Sequence, residues 1–223
     1  IEKYDLVAIP VLNSLDQLVG IVSHEEAIDI IRAEQAEDFE KFGGIMTSRN
    51  DDEYLQTSSF HHFKKRVIWL VSLAAIGIIS GMIISAYQNV LESFIILAMY
   101  MPMMAATGGN TGSQAATVVI RSLSLGEIED KDWLKIVIKE AKISFMLSLS
   151  VAVLTYFKIA FLSFHAILPS QFSMNYIAFT ISLAIAIQVI TSAVIGAGLP
   201  LIVRRMGGDP AVVASPAIST IVD

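Results

Sequence analysis

The 223-residue sequence contains no cysteine and comparatively few charged residues. Without cysteine, the chain can form neither a disulfide framework nor a thiolate metal site. Charged residues make up 16% of it, against roughly 25% in soluble domains, and they are concentrated in residues 1–66. Because the remainder is mostly apolar, the sequence predicts a polar N-terminal piece joined to a membrane domain.

Several classes of protein are disfavoured by what is missing. The formal net charge is −6 and falls largely on the N-terminal piece, so nucleic acid is not expected as a partner. The sequence has no phosphate loop, no Ser-His-Asp order and no His/carboxylate metal motif, so an enzyme is not expected. The first residues, Ile1 to Tyr4, lack a Met and a signal-peptide pattern, so we expect a piece of a longer protein.

Four apolar segments are long enough to cross a bilayer, which takes about 20 helical residues. They cover approximately residues 67–90, 94–120, 136–161 and 176–203. A fifth begins at Pro210, a favoured first position of a helix, and is still apolar at Asp223. We therefore expect an α-helical membrane domain of five helices over residues 67–223, with the fifth helix, 210–223, cut short.

The basic residues predict the orientation of these spans. They occur before the first span, between the second and third, and after the fourth, whereas the connections at residues 88–93 and 162–175 contain no Lys or Arg. Basic connections stay in the cytoplasm, so the N-terminal piece is predicted to be cytoplasmic and the protein to lie in the cell membrane. The residues concerned are Lys64, Lys65, Arg66, Arg121, Lys131, Lys135, Lys139, Arg204 and Arg205.

The segment Ala105–Gln114 is unusual for a membrane helix. It contains three glycines and five polar side chains inside a long apolar run. An unsatisfied polar group in the bilayer costs several kcal/mol, so such a segment belongs against protein or beside a watery cavity. The pattern predicts a path for a polar solute, with backbone carbonyls freed where Gly108–Gly109 and Pro216 interrupt their helices.

The N-terminal piece has a β-β-α pattern. Residues 7–12 and 18–22 are predicted strands, and Ser23 is predicted to cap a helix over 24–36, with Glu26 completing a capping box. The order resembles the second half of a CBS domain, here residues 1–38. Such domains often bind adenine nucleotides through Gly-x-x-Ser/Thr-x-x-Asp, which here is Gly20, Ser23 and Glu26. Ser23 is either a phosphate donor for ATP or only a helix cap.

The predicted helix and its continuation are acidic. Their carboxylates lie on adjoining helical faces and are either a solvated surface or hard oxygen ligands for Mg²⁺ or Ca²⁺. Residues 39–66 are predicted to form an amphipathic connecting helix at the membrane surface. The acidic residues are Glu25, Glu26, Asp29, Glu34, Glu37, Asp38 and Glu40, followed by Asp51, Asp52 and Glu53.

Two stretches of sequence decide between these readings. Residues 102–128, PMMAATGGNTGSQAATVVIRSLSLGEI, and residues 207–223, GGDPAVVASPAISTIVD, closely resemble the signature of the MgtE family of magnesium transporters and channels. The resemblance covers essentially the whole chain. It implies a homodimer in the lipid bilayer, with the pore on the two-fold axis and a plug helix at about residues 39–62.

The resemblance also implies two sets of Mg²⁺ ligands and a function. The key pore residue is Asp223, which spacing independently places about 21 Å along a helix from Asp209, at a depth where a charge suggests function. The implied activity is Mg²⁺ influx, closed when cytosolic Mg²⁺ binds the acidic region. The pore set is Asp223, Asp209, Ala106, Gly109, Asn110, Ser215 and Glu92, and the regulatory set is Glu26, Asp29, Glu34, Glu37 and Asp38.

Two alternatives remain at this level. The protein could transport other divalent cations, such as Mn²⁺, Co²⁺ or Ni²⁺. It could instead be a membrane-anchored CBS sensor of nucleotides, although an anchor alone does not require the polar segment at Gly108–Asn110.

Overall fold

The computed structural model describes residue 1 and residues 4–46, 54–162, 172–213 and 215–222. Within these ranges the chain forms one two-stranded β-hairpin followed by seven α-helices. Two short 3₁₀ turns, Asp130–Asp132 and Pro210–Val213, lie between helices in the second half of the chain.

The hairpin pairs β1 (Ala8–Leu12) with β2 (Leu18–Ser23) in antiparallel register. Its turn is held by the side-chain oxygen of Asn13, which accepts from the backbone N–H groups of Leu15 at 2.9 Å and Gln17 at 3.0 Å. Asn is favoured in turns because its side chain can make such bonds. The predicted strands and turn are confirmed.

Helix α1 (His24–Phe42) begins as the sequence predicts. The Glu26 carboxylate accepts from the backbone N–H of Ser23 at 2.8 Å, and the Ser23 hydroxyl oxygen accepts from the backbone N–H of Glu26 at 3.2 Å. This reciprocal pair is the predicted capping box. The helix continues beyond the predicted end at residue 36 and stops at Gly43.

The single connecting helix predicted over residues 39–66 is wrong. Residues 39–42 belong to α1, residues 43–46 form a turn, and Ser59 begins helix α2 (Ser59–Ala86). Gly44 has a φ of 68° and packs against the Trp69 ring, and a left-handed glycine is a common way to end a helix. Helix α1 is therefore the element that joins the hairpin to the membrane helices.

Each of the four long predicted spans overlaps a helix. A short helix, α3 (Gln88–Ser93), separates α2 from α4 (Ile95–Ser124), and two further long helices follow, α5 (Trp133–Leu162) and α6 (Met174–Arg205). Three helices, α2, α5 and α6, are long and apolar enough to cross a membrane. The fourth, α4, has 30 residues and carries the polar segment.

Helix α6 lies at the centre of the bundle and packs against both α4 and α5. Its buried face includes Ile181, Ile185 and Val189, which recur at the spacing of one helical face. Helix α2 is peripheral, and nothing in its most apolar stretch is buried within the chain.

The helix interruption expected at Gly108–Gly109 is wrong, whereas the fifth predicted helix is divided close to Pro216. Helix α4 runs unbroken through Gly108–Gly109, because those glycines are used for close packing rather than for a break. The fifth helix is instead a 3₁₀ turn, Pro210–Val213, followed by α7 (Ser215–Val222). Pro216 lies in the first turn of α7, where its missing N–H has no helical partner to lose.

Candidate functional site

Three glycines of α4 and one of α6 form a seam where the helices of the second half come together. A Cβ at Gly196 would collide with the backbone oxygen of Gly112, so the two backbones are in direct contact. A Cβ at Gly109 would lie 3.2 Å from Ser219 Oγ of α7. Only glycine fits at Gly196, whereas a side chain at Gly109 would require Ser219 to move by a few tenths of an ångström. The glycine seam (Gly108, Gly109, Gly112 and Gly196) thus holds α4, α6 and α7 together.

Polar groups from α6 fix the end of α7 at this seam. The Gln188 side-chain amide donates to the backbone carbonyl of Val222, and a Cβ at Gly108 would lie 2.5 Å from the same amide nitrogen. The last described residue of α7 is therefore held at the level of Gly108. Asp223 itself lies outside the described residues.

Helix α4 also presents a polar stripe that the rest of the chain leaves exposed. Ala106, Asn110 and Gln114 recur every fourth residue, which places them on one helical face, and all three are exposed. Gly109 lies beside this stripe and is buried. An Asn and a Gln facing outward at bilayer depth must meet protein or water rather than lipid.

A second constellation joins α1 to the connection between α6 and α7. The Lys41 ammonium donates to Asp209 Oδ2 at 2.6 Å and lies 2.8 Å from Glu37 Oε1. Asp209 also accepts from the backbone N–H of Ala211 at 2.9 Å, which fixes the start of the 3₁₀ turn. We call Glu37, Asp38, Lys41 and Asp209 the α1 junction.

The pKa values of the ionisable groups in the α1 junction are shifted in different directions. Hydrogen bonds to Asp209 and Glu37 raise the pKa of Lys41, so this cation stays charged throughout the physiological range. Partial burial favours the neutral acid at Asp209, but the bonds from Lys41 and Ala211 outweigh it and lower the pKa. Asp38 is the opposite case, because burial and then the negative charge of Asp209 raise its pKa. The junction is thus only partly neutralised by Lys41.

The other predicted regulatory residues are not gathered at this point. Glu26 is committed to the capping box, and Asp29 is an exposed residue 3.9 Å from Arg32. Among the residues that the structure describes, no three Asp, Glu or His side chains are close enough to hold a metal ion. Gly20, on the exposed hairpin, has nothing near its Cβ position.

The remaining predicted pore residues are distributed along the bundle. Glu92 accepts from the Gln88 side chain at 2.7 Å and borders a cavity of about 560 Å³ between α2, α3 and the start of α4. Ser215 is the first residue of α7. Asp209 lies at the α1 junction, so a residue predicted for the pore and two predicted for regulation meet in one place.

Sequence reasoning missed three residues that the structure makes prominent: Lys41, Gln188 and Gly196. A signal existed for Lys41, since it follows Glu37 by four residues and can pair with it on a helix. Gln188 is a lone amide in an apolar span, which in a membrane helix indicates an internal partner. Gly196 gave no signal beyond being a glycine in a helix.

Comparisons with known proteins show which family the chain resembles. The family model MgtE, described as a divalent cation transporter, matches residues 101–223. The chain is 32% identical over 220 residues to the magnesium transporter MgtE of Thermus thermophilus, covering 99% of this chain and 46% of that protein. It is 33% identical to the magnesium transporter MgtE of Bacillus subtilis, covering 100% of this chain and 47% of that protein.

A third relative extends the set to another genus. The magnesium transporter MgtE of Enterococcus faecalis is 28% identical over 223 residues, which cover 46% of that protein. The chain thus spans about half the length of these relatives. The family model matches residues 101–223, which include the polar segment, the glycine seam and α7, so the chain belongs to the MgtE family of divalent cation transporters.

Proposed function

We propose that this chain is the membrane part of a transporter that carries Mg²⁺ into the cytoplasm. The observation that carries the proposal is the match along the whole chain to three proteins named as magnesium transporters. The membrane potential supplies the driving force, at about 2.3 kcal/mol per charge per 100 mV. The protein works as a homodimer, with the pore on its two-fold axis and its N-terminal piece in the cytoplasm.

The pore is lined by the polar stripe of α4 and by the residue that follows Val222. Asn110 and Gln114 are exposed within the single chain, which supports their facing a watery path between two copies. Gln188 holds the end of α7 beside α4, and this supports a role for Asp223 in the same path. The complete proposed set is Asp223, Asp209, Ala106, Gly109, Asn110, Ser215 and Glu92.

An unbroken α4 changes how the ion would be held. Its backbone carbonyls accept hydrogen bonds within the helix, so those of Ala106 and Gly109 would contact the water shell of Mg²⁺ rather than the ion itself. Mg²⁺ prefers oxygen ligands and gives up its water reluctantly. We therefore infer a largely hydrated ion, held by the Asp223 carboxylates of two chains and by side-chain oxygens such as that of Asn110.

Gating is proposed to act through the α1 junction. Asp38 and Asp209 repel each other, and Lys41 neutralises only part of their charge. A hydrated cytosolic Mg²⁺ attracted to Glu37, Asp38 and Asp209, and held also by groups from other parts of the assembly, would relieve the rest and hold α1 against the α6–α7 connection. This closes the path by differential binding to the docked state. Glu26, Asp29 and Glu34 would then bind Mg²⁺ only with ligands from other parts of the assembly.

Two alternatives to Mg²⁺ transport are another divalent cation as substrate and a nucleotide-sensing function. The family description names divalent cations in general, so Mn²⁺, Co²⁺ or Ni²⁺ could be the substrate. A nucleotide sensor built on a CBS domain over residues 1–38 would bind ATP near Gly20, Ser23 and Glu26. The capping box uses Ser23 and Glu26 for each other, which disfavours that reading.

The proposal is tested by Mg²⁺ uptake into liposomes that contain the full-length protein. We expect Asp223→Ala to abolish uptake while the protein remains folded, and Glu127→Ala, an exposed carboxylate between α4 and α5, to leave it unchanged. Equal uptake by wild type and Asp223→Ala would remove Asp223 from the path. Uptake of Mn²⁺, Co²⁺ or Ni²⁺ that Mg²⁺ does not inhibit would favour the first alternative.

A further inference from the structure

A narrow groove runs along the contact between α5 and α6, in the half of the bundle nearest to Met174. Its volume is about 320 Å³, at the small end of the range for ligand sites. Phe157, Phe179 and Leu183 line it and are 49–60% exposed, so its open side is apolar. Both helices are long and apolar enough to cross a membrane, and this side therefore meets acyl chains. We call it the Ser182 groove, after the serine in its wall.

The hydroxyl of Ser182 is a donor that the described part of the chain leaves unused. Ser182 is 5% exposed, and its Oγ has no hydrogen-bond partner among the described residues. By contrast, the Ser148 hydroxyl in the same groove donates to the Phe145 carbonyl at 2.8 Å. Thr155 and Ser192 also lack described partners, but they lie outside the walls of the groove. Because a buried hydroxyl without a partner is costly, and rotation about its Cα–Cβ bond can turn it into the groove, Ser182 is suited to an acceptor on a bound molecule.

Ser182 lies at the depth of the ester groups of a bilayer. Helix α6 has 32 residues and is about 48 Å long, whereas the hydrocarbon core is about 30 Å thick. A centred α6 therefore extends about 9 Å beyond the core at each end. Ser182 follows the first residue of α6, Met174, by eight positions, or about 12 Å, which places it about 3 Å inside the hydrocarbon boundary. The ester carbonyls of glycerophospholipids lie at that boundary, between the acyl chains and the head groups.

The length of the groove matches one acyl chain in one leaflet. On α5 its lining runs from Phe145 to Phe157, a distance of about 18 Å at the rise of an α-helix. One leaflet contributes about 15 Å of hydrocarbon, so the groove extends from the ester level to about the middle of the bilayer. The small side chains of Ala152 and Ala186 in its walls leave the room that a chain would fill.

We propose that the Ser182 groove binds one acyl chain of a glycerophospholipid, whose ester carbonyl oxygen accepts a hydrogen bond from the Ser182 hydroxyl. None of the described residues in its walls is charged, so the ester is the polar group that is recognised and the head group is not. A second copy of the chain is a poorer occupant, because Leu183 points about 140° around α6 from Gly196, the residue that contacts α4. The inference depends on α5 and α6 crossing a membrane and not on the transported ion.

The test is native mass spectrometry of the delipidated full-length protein, titrated with dioleoyl phosphatidylcholine or with its dioleyl ether analogue. The two lipids share their head group and chains, but only the first has ester carbonyls. We expect wild type to bind one ester lipid per chain about fivefold more tightly than the ether lipid, which is the effect of one neutral hydrogen bond. Ser182→Ala should remove this difference by weakening only the ester lipid. Ala186→Leu should weaken both lipids, because it fills the groove.

Matched variants separate the groove from the rest of the surface. Ser150→Ala removes a hydroxyl of α5 that donates to the Met146 carbonyl, and Ala75→Leu adds the same bulk to an exposed position on α2. Both should keep the fivefold preference for the ester lipid. Equal binding of the two lipids by wild type, or a preference that survives Ser182→Ala, would overturn the proposal. An Ala186→Leu variant that loses subunits while keeping the preference would also overturn it, by assigning the groove to a second copy.

Discussion

Lys41 acts as a tethered cation between two parts of the chain that are 168 positions apart. Its ammonium group contacts Glu37 on its own helix and Asp209 on the α6–α7 connection. A lysine held between two carboxylates supplies one positive charge where a divalent ion would supply two. The residue therefore sets how much repulsion is left at the α1 junction for a bound metal ion to relieve.

We expect Lys41→Gln to loosen α1 from the membrane helices when Mg²⁺ is absent. Losing the two partly exposed ion pairs should cost on the order of 1 kcal/mol, which corresponds to roughly fivefold faster amide exchange over the end of α1. Hydrogen exchange of residues 30–46 measures this directly. Added Mg²⁺ should restore protection if a cation bridges the same carboxylates.

The control for this prediction is Lys64→Gln on α2. Lys64 lies 4.8 Å from the centre of the Phe60 ring and has no role in the α1 junction. The hydrogen exchange of α1 in the Lys64→Gln variant should therefore match that of wild type. If Lys41→Gln exchanged at the wild-type rate, the ion pairs to Glu37 and Asp209 would not be what holds α1 in place.

The sequence of helix α4 indicated its polar segment but not how its glycines are used. Its polar segment was recognisable, since glycines and amides in an apolar run need a special environment. The predicted break at Gly108–Gly109 was wrong, because the same glycines serve equally well for close packing, and only the position of α6 decides between the two. The capping box of Ser23 and Glu26 was predicted correctly because all of its contacts are local.

The glycine seam gives a prediction at the scale of helix packing. A methyl group at Gly196 would overlap the Gly112 backbone, so Gly196→Ala must push α4 and α6 apart. Overpacking of this kind costs about 1–3 kcal/mol. Gly198→Ala, two residues along the same helix, points into open space and should be neutral or stabilise the helix by up to about 1 kcal/mol.

The measurement is the thermal unfolding midpoint of the two purified variants in the same detergent. Gly196→Ala should unfold at a lower temperature than wild type, and Gly198→Ala should not. A Gly196→Ala variant as stable as wild type would mean that α4 and α6 do not approach as closely as their backbones indicate.

Across the whole molecule, local patterns were predictable and distant contacts were not. Apolar length located the helices, and the hairpin and its cap followed from residues within a few positions of one another. The α1 junction depends on the contact between Lys41 and Asp209, and nothing in the sequence around either residue indicates that the two are partners. The connecting helix was misplaced for a related reason: α1 continues through the acidic run to Phe42, and Gly43 and Gly44 end it there.

The most direct prediction for the whole molecule is the orientation of the chain in the membrane. Basic residues flank the connection between α4 and α5, whereas the α2–α3–α4 connection has none, so the first should face the cytoplasm and the second the outside. The chain contains no cysteine, so a single introduced thiol reports one position. In a cysteine-free background, Asn89→Cys should react with a membrane-impermeant maleimide in intact cells. Glu127→Cys should react only after permeabilisation, and its labelling in intact cells would reverse the proposed topology and direction of transport.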